Sequence, residues 1–235
     1  MSKELRKVVF ADNLGNLMYD TDFHGPWTLS EQTLSVPERK TSIIDIPGRD
    51  GTIDLAQVIS NGEPRYKQRD LSLRFECSVG CRDERSALIY ELINRINGRY
   101  CHITLPDKPL HYLEGYIDVL PEYNDENHAS VRVNASVAPY FVSKNWIHYD
   151  IEATGTMESV ILHNRGGKRV IPQISAYAIA PNMPNIMIRS SALTTTLADY
   201  STHMFEELAM DYDQAHIIRY MGSGHLVITW REAFL

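Results

Sequence analysis

Cysteine is scarce: Cys77, Cys81 and Cys101 in 235 residues are too few, and odd in number, for a disulfide framework. No apolar run approaches the roughly 20 residues that span a bilayer, and the opening MSKELRKVVFADN has too short an apolar segment for a secretory signal. The expectation is a chain made and kept in the cytoplasm, with its thiols reduced in a half-buried core. Positive charge is short as well, 23 Lys and Arg against 30 Asp and Glu, and the net charge of −7 argues against a protein whose main work is gripping phosphates. Phenylalanine is sparse at six, whereas the thirteen tyrosines suit strands and half-wet interfaces. With 43% hydrophobic and 23% charged residues the composition is neither disordered nor fibrous, and the length suits two small domains better than one large one.

Catalytic signatures are missing too. No His-x-x-x-His pair, Gly-x-Ser-x-Gly elbow or Asp-x-Asp-x-Asp-Gly calcium loop occurs, and NRGGKR lacks the Gly-Lys-Ser/Thr ending of a phosphate loop. It reads as a hairpin turn. Glu206 and Glu207 are adjacent carboxylates that diverge, a solvated face rather than a glycosidase pair. Cys77, Cys81, Cys101 and His102 have the wrong spacing for a zinc knuckle, and Cys101 and His102 point to opposite strand faces, so packed thiols are expected. The Asn134-Ala-Ser triplet falls inside a strand pattern and reads as a chance glycosylation match. The residues support no enzyme, metal or cofactor.

What is present is strand patterning. Leu71, Leu73, Phe75 and Cys77 alternate on one face of a strand, as do Val131, Val133, Ala135 and Val137 on another. Between them Leu88, Ile89, Leu92, Ile93 and Ile96 recur at helical spacing, with Asp83 and Glu84 near the start and Gly98 past the end. Two further strands, broken by Pro-Asp and Pro-Leu turns, are expected over residues 99–125. Residues 1–140 therefore predict an α+β domain, a mostly antiparallel sheet with one helix. After a break near Pro139, residues 141–235 read as short strands at turn-separated spacing, a small β-sandwich; ESVILHN, VIPQISAYAIA, NIMIRSS, ELAMDY and HLVITWREAFL are the strand candidates, and MFEELAM is equally a helical turn.

One loop resists a purely structural reading. In IPGRDGTIDL, residues 46–55, Asp50-Gly51 is a type I′ hairpin signal, and Pro47-Gly48 adds a bend before it. Ile44 and Ile46 can alternate with Ile53 and Leu55 on paired strands, which leaves Arg49 and Asp54 at the turn, either engaged with a partner or solvated.

This loop resembles the signature near the N-terminus of distal tail proteins (Dit) of long, non-contractile-tailed bacteriophages (siphophages) and related prophages. YKQRDLSLRFEC followed by RDERSALIYELINRINGRY is similar to that family's first domain in order and spacing. ILHNRGGKRVIPQISAYA resembles its Asn…Gly…Pro strand pair, LAMDYDQAHI its Asp-bearing hairpin, and VITWREAFL its closing Arg-Glu-Ala strand. The resemblance implies a mostly β virion structural protein. Its residues 1–140 would form a split-barrel-like, ring-forming domain and 141–235 a galectin-like β-sandwich. The implied assembly is a homo-hexameric hub at the virion tail tip, put together in the host cytoplasm. The major tail (tube) protein would lie above, tail-associated tip or tape-measure proteins below and receptor-binding proteins at the periphery, with DNA passing only in transit and no membrane insertion. It also makes Pro47, Gly48, Arg49, Asp50, Gly51 and Asp54 subunit-interface candidates. The rival reading is a carbohydrate-binding adhesion module using Trp146, Tyr177 or Trp230, although Trp230 alternates with Leu226 and Ile228 and so predicts core packing. An enzyme acting on cell-wall polymer is a third reading, with no nucleophile or paired acid to carry it.

Overall fold

In a computed structural model, residues 7–48, 50–60, 64–177, 185–198 and 200–235 are described, and the chain divides into two units, 1–141 and 142–235. The first unit holds β1 (Val9–Ala11), β2 (Leu17–Asp20), β3 (Thr28–Leu34), β4 (Ile43–Asp45), β5 (Thr52–Asp54), α1 (Leu55–Ile59), β6 (Arg69–Cys77), α2 (Arg82–Ile96), β7 (Tyr100–Thr104), β8 (His111–Asn124) and β9 (Ala129–Val137); β10 (Phe141–Ser143) leads out of it. Seven strands make one antiparallel sheet in the order β2-β1-β7-β8-β9-β6-β3. Leu71, Leu73, Phe75 and Cys77 of β6 and Val131, Val133, Ala135 and Val137 of β9 are all buried, as period-two alternation requires when one face meets a core. The side chains covering that face come from α2: Ile89, Leu92 and Ile96.

Both ends of α2 are fixed by specific hydrogen bonds. At its start Glu84 Oε2 accepts from the Cys81 amide at 2.9 Å. Arg85 is fully buried and donates to the carbonyls of Gly80 and of Asp125, the latter at 2.8 Å, which ties the helix to the turn between β8 and β9. At its end Asn97 Oδ1 accepts from the Val119 amide at 2.8 Å, and the Gly98 amide donates to Ile117 O at 2.7 Å with φ at 70°, the left-handed geometry that favours glycine. Cys77 and Cys101 pack in the core, but Cys81 is exposed at the helix start, so the expectation of three packed thiols holds for two.

The second unit contains β11 (Ile147–Thr154), β12 (Glu158–His163), β13 (Gln173–Tyr177), β14 (Asn185–Arg189), β15 (Thr194–Ala198), β16 (Ser201–Met204), β17 (Ala215–Met221), β18 (Ser223–Trp230) and β19 (Ala233–Phe234). Two four-stranded antiparallel sheets, β11-β18-β13-β16 and β12-β17-β14-β15, share one core. Leu226, Ile228 and Trp230 enter it from the first sheet, and Leu162, Ile186, Ile188 and Ile218 from the second. The fold is mostly β with few helices. Residues 206–208 form a 3₁₀ turn, the helical-turn alternative read in MFEELAM, and of the strand read into ELAMDY only an isolated bridge from Met210 to Val170 remains. The strands β11, β15, β16 and β17 add to those expected from the sequence.

The turn NRGGK acts as a closure. Buried Asn164 donates from Nδ2 to Lys168 O (2.8 Å) and Met210 O (3.1 Å), while its Oδ1 accepts from the Gly166 amide at 3.0 Å. A Cβ on Gly166 would lie 2.7 Å from both the backbone N and O of Ala233, so glycine is what lets the last strand come this close. Glu232 completes the junction: its Oε1 accepts from the Arg165 amide and its carbonyl from the Ser143 amide, both at 2.9 Å.

Candidate assembly surface

Beyond the main sheet, the chain between β3 and β6 projects as an arm. Its base is a short ladder: the Ser35 amide donates to Asp70 O (2.9 Å), the Lys67 amide to Glu38 O (2.8 Å) and the Lys40 amide to Arg65 O (2.7 Å). The arm itself is the β4–β5 hairpin, paired Ile43↔Asp54, Ile44↔Ile53 and Asp45↔Thr52, followed at once by α1. A hydrogen-bonded carboxylate joins hairpin to helix. Asp54 Oδ1 accepts from the Ser42 amide (2.9 Å) and, as N-cap, from the Ala56 amide (3.1 Å), and Oδ2 stands 3.9 Å from Arg39 Nη2. The Ser42 amide, then the Ala56 amide and the Arg39 charge, hold the Asp54 carboxyl below its ordinary range.

The loop 46–51 differs from the I′ turn read in its sequence. Gly48 and Gly51 take φ of 85° and 79°, whereas among the described non-glycine residues positive φ is confined to Tyr200 and Asp213, so Asp50 does not adopt it. A proline followed by a left-handed glycine has the handedness of a type II turn, and the connection is therefore wider than two residues. Nothing lies within 4 Å of a Cβ built on either glycine, so the requirement is backbone handedness, not space.

The sequence candidates separate accordingly. Pro47, Gly48, Asp50 and Gly51 are exposed together at the tip. Arg49 lies outside the described residues. Asp54 is not at the turn: it sits at the far end of β5, occupied by contacts inside its own subunit, and Leu55 opens α1 instead of continuing a strand. What sequence reasoning missed is the arm's apolar content. Ile43, Ile44 and Ile46 on the hairpin and Val58 and Ile59 on α1 all face solvent, and α1 buries no residue. The signal was available in LAQVI, whose Leu55, Val58 and Ile59 have i, i+3, i+4 spacing. Exposed apolar side chains gathered in one short segment are candidates for an interaction surface.

The saccharide-platform candidates scatter. Trp230 is buried and stacks at 5.6 Å on Tyr149. Tyr177 stacks on His225 at 5.0 Å and donates its hydroxyl to Asp150 Oδ2 at 2.9 Å, which, followed by the His225 contact, holds the Asp150 carboxyl below its usual range. Trp146 is exposed, but the Arg231 guanidinium lies over its ring at 4.3 Å. Among the described residues no three His, Cys, Asp or Glu side chains converge as a metal site, and no helix is long and apolar enough to cross a membrane.

No protein-family model and no curated protein matches the sequence. Among solved structures the chain is similar to the crystal structure of the SPP1 Dit protein (gp 19.1), described as a paradigm of hub adsorption apparatus in Gram-positive infecting phages. The TM-score is 0.66 at 14% identity, over 97% of this chain and 99% of that one. A likeness that spans both chains end to end at so low an identity is a likeness of fold: the chain has a Dit-like, mostly β architecture.

Proposed function

We propose that this chain is a structural protein of a phage tail tip, a distal tail hub that closes into a homo-hexameric ring between the tail tube and the tip proteins. The end-to-end correspondence of fold with the SPP1 hub protein carries the reading, and the arm supports it. A ring needs a heterologous contact in which one face of each copy meets a different face of the next, and a projecting apolar arm is suited to be one side of such a contact. In this reading the first unit forms the ring, with the arm and its tip residues Pro47, Gly48, Asp50 and Gly51 reaching the neighbour while Asp54 holds hairpin and helix together. The second unit is the candidate attachment point for receptor-binding proteins. A net charge of −7 fits a lumen through which DNA passes without counterion-release binding.

Negative-stain electron microscopy of the purified chain, with light scattering for mass, tests this directly. Six-fold rings support the hub. Monomers at high concentration, with or without a tail-tube partner, refute it. The carbohydrate-binding alternative rests on Trp146, and glycan-array binding abolished in Trp146→Ala would favour it.

A further inference from the structure

In the first unit Arg74 and Arg132 stand directly opposite each other on β6 and β9, a like-charge pairing that is unfavourable when left alone. It is not left alone: Glu122 places Oε2 2.9 Å from Arg74 Nε and Oε1 2.7 Å from Arg132 Nε. The sandwich contains the same juxtaposition without the carboxylate. Arg189 on β14 and Arg219 on β17 are cross-strand partners, both are exposed, and both line one open cavity of about 590 Å³. Among the described residues neither guanidinium has a hydrogen bond or an ion pair, and Glu207, which lines the same cavity, pairs with neither.

The surroundings specify more than an anion. Ile218 points into the core, so its neighbours Ile217 and Arg219 point outward on the same face of β17. Ile217 is the cross-strand partner of Ile161, and the two are 55% and 52% exposed. A cation pair therefore borders an aliphatic pair on one sheet face. The isoleucines give a phosphate-bearing polymer nothing to bind, whereas a protein segment that presents an acidic and an apolar side chain on the same face, as residues i and i+2 of a strand do, matches both halves.

We propose that this outer face of the second sheet docks an acidic segment of another protein, with a carboxylate set between Arg189 and Arg219 as Glu122 is set between Arg74 and Arg132, and an apolar side chain on Ile161 and Ile217. The inference stands on the sandwich alone and does not depend on the hub reading.

The test is titration calorimetry of the full chain with a short capped peptide in which glutamate and leucine stand two residues apart, separated by threonine, so that both lie on one face of an extended strand. Two control peptides, lysine replacing glutamate and serine replacing leucine, and linear polyphosphate complete the set. The glutamate–leucine peptide is expected to bind with an affinity that falls as salt rises, and to lose about 10-fold in each of Arg189→Ala and Arg219→Gln. Serine for leucine should weaken it and lysine for glutamate abolish it. The melting temperature should not fall in either arginine variant, since each relieves a like-charge pair, which keeps a binding loss separate from a folding loss. Peptide binding that ignores the arginines, or no peptide binding at all, overturns the proposal. Arginine-dependent polyphosphate binding without peptide binding overturns it in favour of a phosphate polymer.

Discussion

The arm offers a quantitative prediction. Ile43, Ile44, Ile46, Val58 and Ile59 are 66, 42, 40, 61 and 82% exposed, together roughly three complete aliphatic side chains left in water. At about 1.5–3 kcal/mol for each fully buried, seating one arm on a neighbour contributes about 4–9 kcal/mol, gross. Association costs about 4–15 kcal/mol in lost freedom, so one arm alone is marginal. A closed ring, in which each copy gives one arm and receives another, avoids paying that cost anew at its last contact. The double change Ile43→Thr with Ile59→Ser withdraws nearly half of the arm's apolar surface while keeping a β-branched residue on the strand. The expected loss is about 2–4 kcal/mol per contact, on the order of 100-fold in association constant. Within the subunit both residues lie outside the core, so fold stability should change by no more than about 0.5 kcal/mol. Sedimentation velocity across a concentration series, beside thermal unfolding of the same samples, reads both quantities. A variant that assembles as the parent does removes the arm from the interface. A large fall in melting temperature refutes the premise that these side chains are free in the subunit.

Three further outcomes follow from the interior. Arg85→Met should cost about 2–4 kcal/mol in urea unfolding, because two carbonyls lose their donor at about 1–3 kcal/mol each and the relief of guanidinium desolvation offsets only part; a more stable variant would reverse that balance. Gly166→Ala should cost about 1–3 kcal/mol, since its Cβ meets backbone on both sides, N and O of Ala233, which cannot rotate away. The Ser143 amide, whose acceptor is Glu232 O, should then exchange faster, and unchanged exchange would mean that the last strand moves without loss. Burial alone would raise the Asp20 carboxyl, but Lys7 Nζ at 2.6 Å and the amides of Asp22 and Phe23 bring it below its usual value, while the bond to Asp20 raises Lys7. A depressed carboxyl stabilises above its unfolded value, about 4, and loses that contribution as pH falls through the folded one; a raised amine stabilises below about 10.4 and loses it on further rise. Stability should therefore plateau between about pH 5 and 10, and Asp20→Asn should flatten the acid limb; an acid limb unaltered in that variant would show that the pair contributes nothing.

Legibility followed periodicity. The strands around Leu73 and Val133 and the helix around Leu92 could be read because each buries one face and therefore alternates at 2 or 3.6 residues. Trp230 could be assigned to the core by the same logic. The strands β15 and β16, TTTLA and STHM, carry almost no apolar residue of their own: Leu197 is the one buried side chain in the pair, so there was no alternation to read. Turn chemistry was half legible. Gly48 and Gly51 supply left-handed backbone as expected, but Pro47 before Gly48 turns the chain earlier and makes a wider loop than Asp50-Gly51 alone suggested.

The proposed assembly surface was harder to read for a reason that is chemical and general. An interface residue is a core residue whose other half belongs to a second molecule, so Ile43, Ile44 and Ile59 carry the same letters as buried isoleucines such as Ile174 and Ile186. What separates the two sets is how much partner the chain itself can supply. Ile186 has two facing sheets around it, whereas the arm has two three-residue strands and a five-residue helix. A lone two-stranded hairpin is marginal in water, and so is a helix of this length. Asp54 fastens the two pieces to each other with hydrogen bonds, yet it provides no apolar cover for either. The arm therefore has the geometry of a fixed element and the surface of an unfinished one, and that combination, visible only once burial is known, is what an assembly contact requires of a subunit before it has met its neighbour.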